Sequence, residues 1–259
     1  MSDHFLHRTV IGKRVHRLGL AASYGIDEDG IREALARGVN YVFWNPTARK
    51  LTRVLRSLSP TERDQLVIAT GPTLGFLPGS ARRRVEKVLK LLDTDHLDVL
   101  QLYWLGRMSA FTDGMIDELT RLRDEGKVRA LGVSIHDRER AGRLAEDSPL
   151  DLLMIRYNAA HPGAERDIFP HLERRKPAIV AYTATSWRKL LHAPRGFDGR
   201  AATAGECYRF CLTSPSVDVV LTGPRSTAEL RENLAGLDAG PLSPDEMHWM
   251  RALGQAVHG

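Results

Sequence analysis

The sequence predicts an α/β chain folded as a (β/α)8 TIM barrel, with an N-terminal β-hairpin and an extra helix at the C-terminus. Three observations carry this. Strand-like and helix-like segments alternate strictly along the chain, which implies parallel strands joined by crossover helices. Eight such units follow one another, and eight favour closure into a barrel over an open sheet. The length of 259 residues is close to the roughly 250 of a complete eight-unit barrel.

The elements read in order as follows. Arg8–Val15 is a hairpin turning at Gly12-Lys13, and Arg17–Ala21 is the first barrel strand. Asp27–Arg37 opens with acids and stops at Gly38, a left-handed cap position. Tyr41-Val42-Phe43 is a strand, Leu51–Leu58 a helix ended by Pro60, and Leu66–Thr70 a β-branched strand. Ser80 caps a basic helix to Leu92, and an apolar strand runs within Asp95–Tyr103. Asp113–Glu125 is a helix stopped by Gly126, and Val128–Ser134 a strand. Asp137 caps Arg138–Glu146, Leu152–Arg156 is a strand, Asp167–Arg175 a helix and Ala178–Tyr182 a strand. Glu206–Leu212 is helical, Val217–Thr222 a strand, and Thr227 caps a helix to Leu237. The added helix is Pro244–Val257, capped by Ser243. No linker or composition break divides the chain, so it reads as one domain over residues 1–259.

Composition narrows the function classes. Apolar residues at 42% and charged residues at 27% are ordinary for a globular protein. No apolar run approaches the roughly 20 residues of a membrane span, and Met1-Ser2-Asp3-His4 lacks the apolar core of a signal peptide. A cytoplasmic protein with no membrane partner is the expectation. The net charge of +5 includes Arg82-Arg83-Arg84 and Arg174-Arg175-Lys176. Both clusters fall in helical patterns beside Glu86 and Glu173, so solvated helix faces account for them without nucleic acid. Cys207 and Cys211 are four apart, which matches no zinc pattern; they read as buried free thiols, and no metal site is expected.

In a barrel of this kind the site lies at the C-terminal ends of the strands. The residues there are Phe43-Trp44-Asn45, Gly71, Tyr103-Trp104, Ser134-Ile135-His136, Arg156-Tyr157-Asn158, Tyr182-Thr183 and Gly223–Ser226. Arg156 shares a strand face with Met154 and points inward at the mouth. It wants a partner, either an anionic ligand or a protein acid. Trp44, Trp104 and Trp187 either line an aromatic pocket or pack in the core, and His136 and His161 stand in loops.

Several of these segments carry a resemblance. Gly126-Lys127-Val128-Arg129-Ala130-Leu131-Gly132-Val133-Ser134, Gly38-Val39-Asn40-Tyr41 and Asp98-Val99-Leu100-Gln101-Leu102-Tyr103-Trp104 occur in order. Gly223-Pro224-Arg225-Ser226 follows, with Glu229, Leu230, Glu232 and Asn233. Jointly they resemble the fifth, second and fourth strands and the phosphate element of aldo-keto reductases. The resemblance implies NADP(H) held extended across the barrel mouth, and carbonyl reduction by an Asp, a Tyr, a Lys and a His. It also implies that Tyr182 stacks on the nicotinamide and that Ser134 contacts the carboxamide. Gly223, Arg225 and Ser226 would take a phosphate at a helix N-terminus, and Glu232 and Asn233 would hold the adenine.

The catalytic positions depart from that pattern. Phe43 stands at the Asp position, Ala48 at the Tyr, Gly71 at the Lys and Tyr103 at the His. Ile135 and Met154 replace two further carboxamide partners. Of the replacements only Tyr103 can donate a proton, so Tyr103 and Arg156 are the candidate catalytic residues, with packing the alternative role for Tyr103. Losing a general acid removes about 10²–10⁴-fold in rate. Three readings follow: an NADP(H)-dependent oxidoreductase with a degenerate active site, a non-catalytic barrel binding a nucleotide or metabolite, and an enzyme of another class. In each a small molecule at the mouth is the partner.

Overall fold

The computed structural model describes residues 3–70, 80–105 and 112–258. A short helix α1 (Asp3–Leu6) leads into the hairpin β1 (His7–Val10) and β2 (Lys13–His16), paired antiparallel with Val10 opposite Lys13. The two-residue turn is therefore Ile11-Gly12, one residue earlier than expected. Both residues have positive φ, 45° and 79°, the geometry that matches the twist of the flanking strands.

Eight strands form a closed parallel barrel: β3 (Leu18–Ala21), β4 (Tyr41–Phe43), β5 (Val67–Thr70), β6 (Leu97–Leu105), β7 (Val128–Ile135), β8 (Leu152–Arg156), β9 (Ala178–Tyr182) and β10 (Val219–Thr222). The ring closes where β10 pairs with β3, Val220 opposite Leu18. In the ladder between β6 and β7 the register slips between Leu102 and Leu105, so the backbone of Tyr103 and Trp104 lies in an irregularity.

The outer layer contains α2 (Glu28–Ala36), α3 (Arg49–Arg56), α4 (Pro60–Asp64), α5 (Ser80–Leu92), α6 (Asp113–Asp124), α7 (Arg138–Glu146), α8 (Ala164–Asp167), α9 (Ala204–Thr213), α10 (Thr227–Ala235) and α11 (Pro244–His258). Side-chain caps set several starts. The Asp27, Thr112 and Asp137 side chains accept from the amides of Gly30, Met115 and Arg140. Three expectations need correction. Pro60 does not simply end a helix but begins α4, because Ser59 and Glu62 form a capping box around it. The helix expected over 167–175 starts earlier, as α8, and breaks into a 3-10 turn, Phe169–His171, at Pro170, which has no N–H for a helical bond. Ser226 rather than Thr227 caps α10, accepting from the Glu229 amide.

Two apolar layers result. Tyr41, Val67, Val99, Ala130, Leu152, Met154, Val180 and Val219 fill the barrel, and Val10 and Val15 of the hairpin close it from below. Trp44, Leu51, Ile68, Leu119, Ile135, Tyr157 and Phe210 belong to the layer between strands and helices. Trp44 is thus core rather than mouth, its indole N–H donating to Thr52 Oγ1 at 2.9 Å. Cys207 and Cys211 are buried, and burial raises both thiols, Cys207 to about 12, so neither is a ready thiolate.

The lower end is tied by buried charge. Asp98, fully buried, accepts from Arg63 at 2.9 Å, Lys13 at 3.1 Å, Arg129 at 3.4 Å and the Ile68 amide at 3.0 Å. Arg17 donates to the carbonyls of Phe5 at 3.1 Å, Val217 at 2.6 Å and Asp218 at 3.3 Å. Burial, with Arg8 nearby, lowers its pKa to about 10.

Candidate functional site

The C-terminal ends of the strands surround a cavity of about 570 Å³, within the range for small-molecule sites. Its walls include Tyr24 after β3, Phe43 at the end of β4, Met154 of β8, Tyr182 of β9 and the loop from Thr183 to Leu191, with Leu221 to Gly223, Arg225, Glu232 and Asn233 on the far side. A second cavity of about 410 Å³ lies at the opposite end, lined by Arg129, Asp151 and Asp218. Those groups are committed to structure. Asp151 accepts from the Leu131 amide, Asp218 from the Ile179 amide, and Arg129 bonds Asp64 and Asp98. The mouth cavity is therefore the candidate site.

Tyr182 ends β9 with its hydroxyl 3.2 Å from the His136 ring nitrogens, the rings edge to face at 6.0 Å between centroids. Burial raises its pKa to about 12, against an opposing pull from Arg156, so it stays a neutral hydroxyl. The loop that follows is held in an unusual backbone. Thr183, Ser186, Trp187 and Arg188 have φ of 56°, 50°, 52° and 71°, a left-handed region that non-glycine residues enter at a cost. Asn158 Nδ2 donates to the Thr183 carbonyl at 2.7 Å, and the Arg188 amide to Thr185 Oγ1 at 3.2 Å. These bonds leave Trp187 58% exposed at the cavity rim.

On the far wall Gly223 allows a close approach: a Cβ there would meet Tyr24 Cδ2 at 2.4 Å. The Tyr24 ring is 65% exposed. The start of α10 is already partly satisfied. Ser226 caps the Glu229 amide at 3.2 Å, and Glu229 Oε2 takes the Arg225 amide at 2.8 Å. The Arg225 side chain is exposed, and Arg188 Nη1 stands 3.8 Å from Glu229. Asn233 is buried with its amide on Thr222 Oγ1 at 3.0 Å, and Tyr208 shares that oxygen at 2.9 Å. Glu232 is exposed.

The expected residues are only partly united. Tyr182, Gly223, Arg225, Glu232 and Asn233 line one cavity. Ser226 serves as a helix cap, and Ser134 is buried in β7 outside the lining. Arg156 adjoins Tyr182 across the ladder. Phe43 forms part of the wall, whereas Ala48 is buried beneath it at the start of α3. Ile135 packs outward in the helix layer. Gly71 and the side chains of Tyr103 and Trp104 lie outside the described residues. Tyr24 and Arg188 were missed. Tyr24 had a signal, since it follows the first barrel strand as the other candidates follow theirs; Arg188 did not, because its place depends on the left-handed loop. Among the described residues no group of three His, Cys, Asp or Glu side chains could hold a metal, and no helix is long and apolar enough to cross a membrane.

Comparison with known proteins agrees with this architecture. Solved structures superpose closely: aldo-keto reductase AKR11C1 from Bacillus halodurans, holo form, matches with a TM-score of 0.79 at 20% identity, over 96% of both chains. An aldo/keto reductase from Klebsiella pneumoniae in complex with NADP and acetate matches with a TM-score of 0.75 at 20% identity, over 93% of this chain and 92% of that one. In sequence, the chain is 28% identical over 130 residues to aldo-keto reductase YhdN of Bacillus subtilis, covering 47% of this chain and 39% of the relative. It spans 39% to 66% of the length of the curated relatives it matches. The model of the aldo/keto reductase family matches residues 18–190. With two thirds of the chain matched by the family model, this chain belongs to the aldo/keto reductase family.

Proposed function

We propose that the barrel mouth binds NADP(H) and that the protein is an oxidoreductase-family barrel whose ordinary carbonyl-reducing machinery is degenerate. The observation that carries this is Phe43. It forms part of the cavity wall, at the position where the resemblance implies a carboxylate, so the wall offers a ring where a proton relay would begin.

The residues present fit the nucleotide unevenly. Arg225 and Arg188 can pair with phosphate oxygens, Gly223 permits close backbone approach once the exposed Tyr24 ring turns aside, and Tyr182 offers an aromatic face. Glu229 competes for the same helix start, and Asn233 is already engaged with Thr222, which argues for a modest affinity. A solved relative carries NADP. When bound, NADPH supplies a hydride. This chain's own groups must then stabilise an alkoxide, and electrostatic help at that oxygen is usually the largest catalytic contribution. Phe43 and Ala48 cannot give it, which leaves Tyr103 as the proton donor to test. The expected behaviour is binding without turnover, or turnover on an unusual substrate only.

Titration of NADPH fluorescence tests the first half. Arg225→Ala is expected to weaken binding about tenfold or more, the range for a charged hydrogen bond, and unchanged affinity removes Arg225 from the site. Steady-state assays with generic aldehydes test the second. Turnover near the ~10 s⁻¹ typical of enzymes refutes degeneracy, and its loss in Tyr103→Phe would make Tyr103 the replacement acid. The second reading, a barrel that binds without chemistry, is favoured if NADPH binds and no carbonyl is reduced.

A further inference from the structure

Arg156 is a half-buried cation in an unusual position. It ends β8 two residues after Met154, a wall of the cavity, and alternate strand residues share a face, so it lies on the inward side, bordering the cavity through Tyr182 and Trp187, which line it. Across the ladder its neighbour is Tyr182, which holds His136. Its Cζ lies 5.7 Å from the centroid of the Trp187 ring, within reach of a cation–π contact.

What it lacks, among the described residues, is an acid. Three other arginines away from solvent have partners: Arg63 bonds Asp98, Arg209 bonds Glu246, and Arg17 bonds four carbonyls. No carboxylate among the described residues forms an ion pair with Arg156. Withdrawing a charge from water without a partner is costly, so the position makes sense with a partner from solution.

The surroundings agree. His161 is held down to about 4 by burial first, then by the charges of Arg156, His258, Lys189 and Arg138. His136 is lowered by burial and then by Arg156. Arg156 thus sits among aromatic rings and neutral histidines, beside a cavity whose lining carries Arg188 and Arg225 together with Glu229 and Glu232.

We propose that Arg156, with Trp187 against its guanidinium, is the docking point for the oxyanion of a small organic molecule, a carboxylate or a phosphate. The guanidinium fork matches either group, and a two-pronged contact fixes orientation as well as charge. The inference rests on the reading of the mouth as a ligand site and adds the chemical class of the ligand.

Calorimetric titration with benzoate, phenyl phosphate and neutral benzamide tests it. One of the two anions is expected to bind at least tenfold more tightly than benzamide, and which one does so identifies the carboxylate or the phosphate as the group recognised. That preference should fall tenfold in Arg156→Gln and partly in Arg156→Lys, which keeps the charge without the fork. Trp187→Leu, at an exposed position, should weaken the anion about threefold and serves if Arg156→Gln does not fold. Equal binding of anions and benzamide overturns the inference, as does wild-type anion affinity in Arg156→Gln. NADPH is titrated on the same samples. NADPH binding without anion preference overturns the inference and leaves the nucleotide reading standing. An Arg156-dependent anion preference without NADPH binding does the reverse.

Discussion

The two ends of the barrel treat charge in opposite ways. At the lower end, Asp98 gathers Lys13, Arg63 and Arg129 around a fully buried carboxylate, and Arg17 is wrapped by backbone carbonyls. At the mouth, Arg156 has a tryptophan face and, among the described residues, no acid. The lower bonds join the hairpin, β5, β6 and β7 into one block, so their loss is felt as instability. The mouth group joins no second strand through an ion pair among the described residues, so its loss should cost little stability. This is the division of labour the fold imposes, with stability at one face and site at the other.

The largest expected effect breaks the lower end. Asp98→Ala removes a buried acceptor shared by three cations and the Ile68 amide, and should cost about 3 kcal/mol or more in denaturant unfolding. A loss under about 1 kcal/mol would mean that the cluster is a solvated surface feature. An intermediate effect comes from the side wall. Tyr157 donates to Glu165 at 2.7 Å, and Arg251 of the last helix bonds the same carboxylate at 2.9 Å. Tyr157→Phe should cost about 1 kcal/mol, measured as a shifted urea midpoint with unchanged slope. At the mouth, Arg156→Leu should change stability by no more than about 0.5 kcal/mol. A loss as large as that of Asp98→Ala would show Arg156 to be a structural cation and collapse the contrast.

The smallest effect is a slope. His161 has a folded-state pKa of about 4 against 6.5 for the free side chain. Between those values the unfolded chain binds more protons than the folded one, so stability falls as pH drops from 6.5 toward 4. In His161→Gln the decline across that window should be shallower, read from unfolding midpoints at pH 6.5 and 5. Identical declines would place the histidine in solvent.

Most of the barrel was legible because each strand is a short apolar run closed by turn chemistry, as in Val128–Ser134 after Gly126. What escaped were places where one residue overrides a pattern. The apolar spacing over 167–175 looks helical, yet Pro170 breaks it. Ile11 takes a left-handed turn position that a β-branched side chain seldom occupies. At the site, Tyr182, Gly223 and Arg225 could be placed because they sit at strand ends. The roles of Asn233 and Ser226 could not, since both are decided by neighbours that only the fold brings together: Thr222 for one, the Glu229 amide for the other. Nor could the surroundings of Arg156 be read, because its contact with Trp187 depends on the left-handed loop.

The ring closes between β3 and β10, and Arg17 reaches carbonyls two hundred residues further along the chain. During synthesis, β3 must therefore wait with one edge unpaired until residues near 220 have emerged. At roughly 5–20 residues per second that wait lasts on the order of ten seconds or more. The hairpin joins the first strand to the barrel interior through Val10 and Val15, so the same part of the chain that seals the finished barrel is the part whose exposed edge needs shielding longest while it is being made.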